Sequence, residues 1–329
     1  MPKKALSIFL RIFVTALLLF VLFKHVDVDN LVGAIKNADK PLLLFGFLLF
    51  FVNYILCLFR WNMLLKAADI RLPLKRVIIS IAGGLFFNQF LPSTIGGDLV
   101  RSIDLSVHTK KPHGVVATVL LDRLSGFIAL TLIALFALIF GWRYIQDVSV
   151  LASVGIITAI LTVALLMIFN KTIYAKINKL LHSPHAGKIR EWIKLLHQEM
   201  HIFRHHKGVA VKNLLISLAI QGICPVVFYL IALSIGIKVN IIYFFIFIPI
   251  INAITFLPIS IGGLGLRDAT AVFFFAKVGV SSDLTFAASL LSFAVILIYG
   301  ILGGIIYALT VHHRRVQHDK PQQVPPARQ

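Results

Sequence analysis

Five long apolar stretches constrain the fold of this chain more than any other feature. Each exceeds the roughly 18 residues that a membrane-spanning helix needs, and they lie at residues 41–59, 124–142, 148–169, 214–237 and 284–311. The chain is 59% hydrophobic and 14% charged, whereas a soluble domain averages about 45–50% and about 25%. The sequence therefore predicts an all-α polytopic membrane protein, with residues 1–329 forming a single integral membrane domain.

The placement of charge predicts the orientation of the chain. The formal net charge is +19, and 18 of these charges fall in the amino terminus, residues 60–76, 98–123 and 170–212, and the tail. Cytoplasmic loops of membrane proteins collect Lys and Arg. We therefore expect these segments and both termini on the cytoplasmic side of a bacterial-type inner membrane. Because the basic residues are dispersed through membrane loops, we expect no nucleic-acid partner.

A twelve-residue phrase occurs twice. FLPSTIGGDLVR, residues 90–101, returns as FLPISIGGLGLR, residues 256–267, with seven identical positions and an offset of 166 residues. Residues 170–212 remain cytoplasmic only if residues 77–91 enter the membrane and return on the same side. Three spans then separate the two copies, so the copies point in opposite directions.

This topology predicts about six full spans plus two re-entrant or broken-helix hairpins in an inverted repeat, an arrangement found in many secondary transporters. The first repeat covers residues 41–142 and the second covers residues 213–311. Between them lies a cytoplasmic linker, residues 170–212, whose apolar positions 189–203 form one face of a basic helix. We expect the tail, residues 312–329, to be disordered.

Each copy carries the same helix-breaking residues. They are Pro92, Gly96 and Gly97 in the first copy and Pro258, Gly262 and Gly263 in the second. Proline lacks an amide hydrogen, and glycine permits unusual dihedral angles and close backbone approach. A break of this kind is tolerated at membrane depth where it lines a cavity, and the amide groups at the start of the next half-helix attract anions.

Charged residues follow both breaks, and we predict that they bind a lipid headgroup. The predicted headgroup-binding residues are Arg101, Arg267, Asp98, Asp122, Arg123 and Asp268. A guanidinium suits phosphate because its planar fork donates two hydrogen bonds at once, and the acidic neighbours would keep it paired while the site is empty. Ionisable residues at membrane depth are functional candidates by default. The alternative is that Arg101 and Arg267 anchor the chain at the two membrane interfaces.

Uncharged polar residues near the breaks are predicted to line a cavity. These candidates are Asn88, Asn252, Ser93 and Thr94, although hydrogen bonding between helices is an alternative role for the two amides. His197, His201 and His205 share one helical face, but no carboxylate or cysteine completes a ligand set. We therefore expect no metal site and no cofactor.

Four short segments resemble the lysylphosphatidylglycerol synthase transmembrane family, also described as flippase-like integral membrane proteins. They are RW at residues 60–61, FNQFLPSTIGGDLVR at 87–101, LLDR at 120–123 and LPISIGGLGLRD at 257–268. The family commonly has Glu where this chain has Asp122 and Asp268. The resemblance implies lipid translocation with an unspecified substrate. We expect no lysyl transfer, because the sequence lacks the soluble aminoacyl-transferring domain of the best-known relatives.

Together these features predict a protein that binds a phospholipid or polyprenyl-phosphate headgroup between two inverted hairpins and moves that lipid across the bilayer. Two other functions stay open at this point. One is an intramembrane lipid phosphatase or transferase, with Ser93 or Thr94 as a nucleophile that lacks an evident base. The other is a non-catalytic partner that presents lipid to a separate lipid-modifying enzyme.

Overall fold

The computed structural model of the protein describes residues 3–91, 96–109, 111–143, 147–169, 207–257 and 259–318. Within these ranges the chain is helical and contains no strand. The helices are α1 (Lys3–His25), α2 (Val28–Lys36), α3 (Lys40–Ala67), α4 (Leu74–Phe90), α5 (Gly96–Thr109), α6 (Pro112–Gly141), α7 (Val148–Phe169), α8 (Lys207–Ser234), α9 (Ile241–Thr255), α10 (Leu266–Ala276) and α11 (Ser282–His318). The predicted all-α fold is confirmed.

Four of the described helices are long and apolar enough to cross a membrane. They are α3, α6, α8 from Gly208, and α11 as far as Thr310. Helices α1 and α2 meet at an angle of 91° and would make a fifth crossing if they form one bent span. Helix α7 occupies the position of the remaining predicted span, and its residues Val148–Ile160 form a shorter apolar helix. The protein is a polytopic membrane protein.

The linker and the tail fall largely outside the described ranges. Residues 170–206 of the predicted amphipathic linker are not described, and residues 207–212 form the first turns of α8. Helix α11 continues through His318, so residues 312–318 of the predicted tail are helical, while residues 319–329 are not described.

Helix α2 is an element that the apolar pattern does not predict. Its start is fixed by Asp27, whose Oδ1 accepts hydrogen bonds from the amides of Asp29 and Asn30 at 2.9 and 3.2 Å. The amide of Asp27 in turn donates to Asp283 Oδ1 at the start of α11, at 3.0 Å. This capping turns the chain sharply between α1 and α2 and ties the turn to α11.

The helices repeat with the same offset as the motif. Adding 166 to the first residues of α3, α4, α5 and α6, which are 40, 74, 96 and 112, gives 206, 240, 262 and 278. Helices α8, α9, α10 and α11 begin at 207, 241, 266 and 282. We call α3–α6 the first helix set and α8–α11 the second helix set.

Many contacts between the helices recur when the two helix sets exchange places, although α6 packs on α8 while the equivalent pair, α3 and α11, barely approaches. Helix α3 packs against its counterpart α8, and the contact of α4 with α11 corresponds to that of α9 with α6. Inside each set, α4 packs on α5 as α9 packs on α10, and α5 on α6 as α10 on α11. The contacts that recur are those that a two-fold relation between the helix sets would give. Their inverted orientation across the membrane stays a prediction.

The two helix sets differ in what they bury. The main apolar core includes Phe244, Phe247, Phe274, Phe275 and Phe286 of the second helix set, all at most 2% exposed. In the first helix set, the buried side chains include Arg60, Asp98, Arg101 and Asp122. The second helix set therefore supplies much of the apolar core, and the first holds more of the buried charges, although Arg267 and Asp268 of the second set are buried as well.

Glycine residues allow α11 to pack directly on the backbone of α4. A Cβ atom added at Gly303 would lie 2.6 Å from the carbonyl oxygen of Ala82. Small residues permit such close approach between helices in membranes, where van der Waals packing is a main source of association energy. This contact joins the first helix set to the second.

We expect the substitution Gly303→Ala to destabilise the protein by about 1–3 kcal/mol, the usual cost of forcing a methyl group into a well-packed interior. The matched control is Gly155→Ala in α7, where an added Cβ would meet nothing within 4 Å. Alanine favours helix over glycine by about 0.8–1.0 kcal/mol, so the control should be neutral or slightly stabilising. Denaturant unfolding of the purified protein in detergent measures both, and equal effects would contradict the close approach of α4 and α11.

Candidate functional site

The first break shapes a hairpin between α4 and α5. Helix α4 ends at Phe90, and Leu91 has extended backbone with φ −80° and ψ 143°. Helix α5 begins at Gly96, and the amide of Gly97 donates to Asn88 Oδ1 at 2.8 Å. A Cβ on Gly97 would collide with the carbonyl oxygen of Gly84 in α4. Glycine is therefore required where the two helices meet, and Asn88 caps the start of α5. The predicted residues Pro92, Ser93 and Thr94 lie outside the described residues.

Five charged side chains form a network beside this hairpin. Asp122 of α6 accepts from Arg60 Nε at 2.7 Å and from Arg101 Nη2 at 3.0 Å. Asp98 of α5 accepts from Arg123 Nε and Nη2 at 2.6 and 2.9 Å, and lies 3.0 Å from Arg101 Nη2. We call these five residues the charged network. It holds α3, α5 and α6 together through ion pairs.

The charged network carries one unbalanced positive charge and one unfilled hydrogen-bond donor. Three guanidinium groups (+3) and two carboxylates (−2) sum to +1, and both oxygens of each carboxylate already face a guanidinium. Arg101 is 8% exposed, yet its Nε has no hydrogen-bond partner. A buried donor without an acceptor costs about 1–3 kcal/mol. An anionic oxygen placed at Arg101 Nε would supply both the missing acceptor and the missing charge.

A cavity of about 260 Å³ opens onto the charged network. Its lining comes from all four helices of the first helix set and comprises Tyr54, Cys57, Arg60, Ile81, Gly84, Leu85, Asn88, Gln89, Asp98, Arg101, Asp122 and Arg123. Small-molecule pockets typically measure about 300–1,000 Å³, so this cavity suits a headgroup rather than a whole lipid. The predicted residues Asn88, Asp98, Arg101, Asp122 and Arg123 all line it.

The second break has a different backbone from the first. Gly262, Gly263 and Gly265 have φ of +57°, +77° and +75°, in the left-handed region that glycine adopts without steric cost. Helix α10 therefore begins only at Leu266, four residues later than the equivalent start of α5 at Gly96. Pro258 lies outside the described residues. The same diglycine thus starts a helix in one copy and forms a turn in the other.

Arg267 and Asp268 form a closed set of hydrogen bonds away from the cavity lining. Arg267 donates from Nη2 to Asp268 Oδ1 at 2.8 Å and from Nε to Ser289 Oγ at 3.1 Å. Asp268 also accepts from the amide of Gly265 at 2.9 Å and from the Ser289 hydroxyl at 2.5 Å. Asn252 is partly buried, and its backbone carbonyl oxygen accepts from the amide of Phe256 at 3.1 Å at the end of α9. The structure thus brings Arg101 and its neighbours together at the cavity but leaves Arg267, Asp268 and Asn252 outside its lining.

Sequence equivalence explains why the second copy lacks a matching network. With the 166-residue offset, Arg101 corresponds to Arg267, but the other four network positions lose their charge. Arg60, Asp98, Asp122 and Arg123 correspond to Val226, Leu264, Ala288 and Ser289. Asp268 instead supplies a counter-ion from the neighbouring position on α10. The second copy therefore keeps the arginine and neutralises it locally.

The two breaks nevertheless meet at the cavity wall. The guanidinium of Arg123 lies over the ring of Phe256 at 5.6 Å, and Phe256 packs edge-on against Phe127 at 4.7 Å. A Cβ on Gly262 would lie 3.3 Å from the carbonyl oxygen of Gln89, a residue of the cavity lining. A movement of the second break would therefore change the contacts of the charged network.

Comparison with known proteins shows the family of the chain. Residues 8–304 match the family described as the lysylphosphatidylglycerol synthase TM region. The chain belongs to this family. It is a multi-pass integral membrane protein, as the four apolar helices of the family-matched region indicate.

Similar membrane proteins share nearly the whole length of the chain. A UPF0104 membrane protein of Pyrococcus horikoshii is 24% identical over 91% of this chain and 96% of its own. One of Methanothermobacter thermautotrophicus is 24% identical over 92% and 93%, and one of Methanocaldococcus jannaschii is 21% identical over 91% and 93%. No solved structure is significantly similar to this chain.

Arg60 is the functional candidate that sequence reasoning missed. It was visible in the RW pair, and an arginine near the end of an apolar stretch is a candidate by default. The pair acts as a unit here, because Arg60 binds Asp122 while the Trp61 ring lies under the guanidinium of Arg101 at 4.7 Å. Arg60 Nη1 also donates to Ser217 of α8 at 2.9 Å, which links the charged network to the second helix set.

We expect Asp122→Asn to destabilise the protein by about 3–5 kcal/mol, the cost of leaving a buried charge without its partner. The substitution removes a negative charge from between Arg60 and Arg101 and raises the charge of the network from +1 to +2. Denaturant unfolding in detergent measures the change, and a loss below about 1 kcal/mol would show that the pairs behave as surface ion pairs.

The control for this prediction is Asp147→Asn, which breaks a partly exposed ion pair with Lys277 at 2.8 Å. The Lys277 hydrogen bond lowers the pKa of Asp147 below its usual value. Because the pKa is lower in the folded state, this pair stabilises the protein above the ordinary carboxyl pKa and ceases to do so as the pH falls through the lowered value. At neutral pH, Asp147→Asn should therefore have a small effect compared with Asp122→Asn.

Proposed function

We propose that this protein binds the phosphate of a lipid headgroup in the cavity at Arg101 and carries that lipid between the two leaflets of a membrane. The observation that carries the proposal is Arg101, a buried guanidinium that lines the cavity and whose Nε lacks an acceptor. Membership of the lysylphosphatidylglycerol synthase TM family supports it.

The chemistry of the charged network favours phosphate as the ligand. A guanidinium offers a planar fork of donors that matches phosphate oxygens, and the net charge of +1 balances a single negative charge. Asp98 and Asp122 hold the guanidinium groups in place while the cavity is empty, so little reorganisation is needed on binding. The side chain of Arg123 is 35% exposed, and it gives the headgroup a second cationic contact at the mouth.

The packing of the two helix sets supports a transport role. The cavity belongs to the first helix set, and the break of the second set lies on its wall at Phe256 and Gly262. Rocking of one helix set against the other, along the contacts of α3 with α8 and α4 with α11, would expose the cavity alternately to each leaflet. In this cycle Arg267 would become a headgroup ligand only when its pair with Asp268 opens. We place the protein in a bacterial-type inner membrane with both termini in the cytoplasm.

Binding and release are favoured over hydrolysis of the lipid. Each oxygen of Asp98 and Asp122 already faces a guanidinium, so neither carboxylate is free to act as a general base. Among the described residues, the cavity lining contains no histidine. A site that holds its lipid unchanged is also suited to supply that lipid to a separate lipid-modifying enzyme.

We expect Arg101→Gln to slow lipid translocation about tenfold or more, because a hydrogen bond to a charged group contributes about 1.5–3 kcal/mol. The fold should persist, since Asp98 retains Arg123 and Asp122 retains Arg60 as partners. In the assay, the full chain is reconstituted in vesicles that contain fluorescent lipids. Quenching of the fluorescence by dithionite follows the movement of these lipids out of the inner leaflet. The lipid panel contains phosphatidylglycerol, phosphatidic acid, phosphatidylethanolamine and a polyprenyl phosphate.

The matched control is Arg71→Gln, because the Arg71 side chain is 86% exposed and pairs only loosely with Asp69 at 3.8 Å. It removes the same charge and should leave the rate unchanged. Failure of the natural chain to accelerate any lipid of the panel would defeat the proposal. Release of inorganic phosphate from the same lipids would instead support the phosphatase alternative.

A further inference from the structure

Five aromatic rings line one seam between α3 and α11. On α3, Phe47, Phe50, Phe51 and Tyr54 follow helical spacing and share one face, which is met by Tyr299 of α11. The ring of Tyr299 lies 4.6, 5.9, 6.2 and 5.0 Å from those four rings, measured between centroids. Its hydroxyl donates to the carbonyl oxygen of Phe47 at 2.9 Å. We call these five residues the aromatic seam.

The aromatic seam is continuous with the cavity. Tyr54 belongs to both, and Cys57 and Arg60 continue the cavity lining along the next turns of α3. Helix α3 thus carries a charged end at Arg60 and an aromatic end at Phe47 on one connected surface. The charged network and the aromatic seam match the two parts of a lipid, a phosphate and a hydrocarbon chain.

The seam is closed by side chains rather than by close backbone packing. Helix α11 packs closely on α4 at Gly300, Gly303 and Gly304. Within the described residues, by contrast, the backbones of α3 and α11 barely approach each other. Tyr299 is 8% exposed but Phe51 is 50% exposed. The rings therefore lead from the buried cavity to the outer surface of the helices, where lipid lies.

The length of this surface fits one leaflet. A helix rises about 1.5 Å per residue, so Tyr54, seven positions after Phe47, lies roughly 10 Å further along the axis, and Arg60, thirteen positions after Phe47, roughly 20 Å. Half of a hydrocarbon core of about 30 Å is roughly 15 Å. A lipid whose phosphate lies at Arg101 can thus lay a chain along this face of α3, with roughly 10 Å of the path formed by the aromatic seam.

We propose that the aromatic seam is the binding subsite for the hydrocarbon chain of the lipid whose phosphate binds at Arg101. This inference rests on the proposed function and adds the path by which the chain of the lipid leaves the cavity. The ligand class is a lipid with at least one long acyl or isoprenoid chain. Phe51 and Tyr299 are the residues that set the preference for chain length.

The test compares two probes that share a headgroup, dioleoyl-phosphatidylglycerol and dihexanoyl-phosphatidylglycerol, in equilibrium binding to the full chain in detergent. We expect Phe51→Ala and Tyr299→Leu each to weaken binding of the long-chain probe about tenfold and to leave the short-chain probe within about twofold. Phe51→Ala carries the test if Tyr299→Leu fails to fold, because Phe51 is half-exposed. The matched control is Phe45→Ala, an exposed phenylalanine on the opposite side of α3, which should bind both probes like the natural chain.

The outcomes separate this inference from the proposed function. Equal weakening of both probes by Phe51→Ala, or no weakening of either, overturns the chain subsite. Binding that requires Arg101 but is indifferent to chain length overturns the chain subsite alone and leaves headgroup binding in place. If the Arg101→Gln variant binds both probes with the same affinity as the natural chain, the proposed function itself is overturned.

Discussion

The fold depends on how five charges are kept inside an apolar helical bundle. Asp98 and Asp122 each lie between two arginines, and the ion pairs connect α3, α5 and α6 while Arg60 reaches Ser217 of α8. Desolvating these groups costs several kcal/mol per ion unless each has a well-placed partner. The short helix α5 can therefore pack inside the bundle only because its three charges, Asp98, Arg101 and Asp104, meet partners on α4 and α6. The same requirement fixes the walls of the cavity.

The chain is duplicated in architecture but not in chemistry. The eight helices of the two helix sets begin within four residues of one common offset and share many corresponding contacts, while four of the five network positions are apolar or uncharged in the second copy. The second copy instead contributes a phenylalanine-rich core, a glycine turn and the Phe256 ring under Arg123. One half thus holds the cavity with its charged network, and the other half holds much of the apolar core.

Much of this arrangement can be predicted from sequence, because apolar stretches and the repeated motif report directly on helices and their breaks. The lining residues Asp98, Arg101, Asp122 and Arg123 could be predicted because ionisable groups in apolar surroundings are costly and therefore informative. Arg60 was missed because its partner Asp122 is 62 positions away, and only the fold brings them together. The motif alone could not predict that Arg267 lies outside the cavity lining. That position follows from the later start of α10 and from the hydrogen bond of Arg267 to Ser289, which lies on another helix. Helix α2 was missed because its start depends on a side-chain cap rather than on an apolar period.

The odd charge count of the network has an electrical consequence for the proposed cycle. With its cavity empty, the network carries +1, and a headgroup with one negative charge makes the loaded site neutral. A charge that crosses the full membrane field gains or loses about 2.3 kcal/mol per 100 mV. In the proposed cycle, a cell interior at negative voltage would therefore draw the empty site toward the cytoplasm and would exert no net force on the neutral, loaded site. The membrane potential, acting on a single uncompensated arginine, would reset the carrier after each delivery.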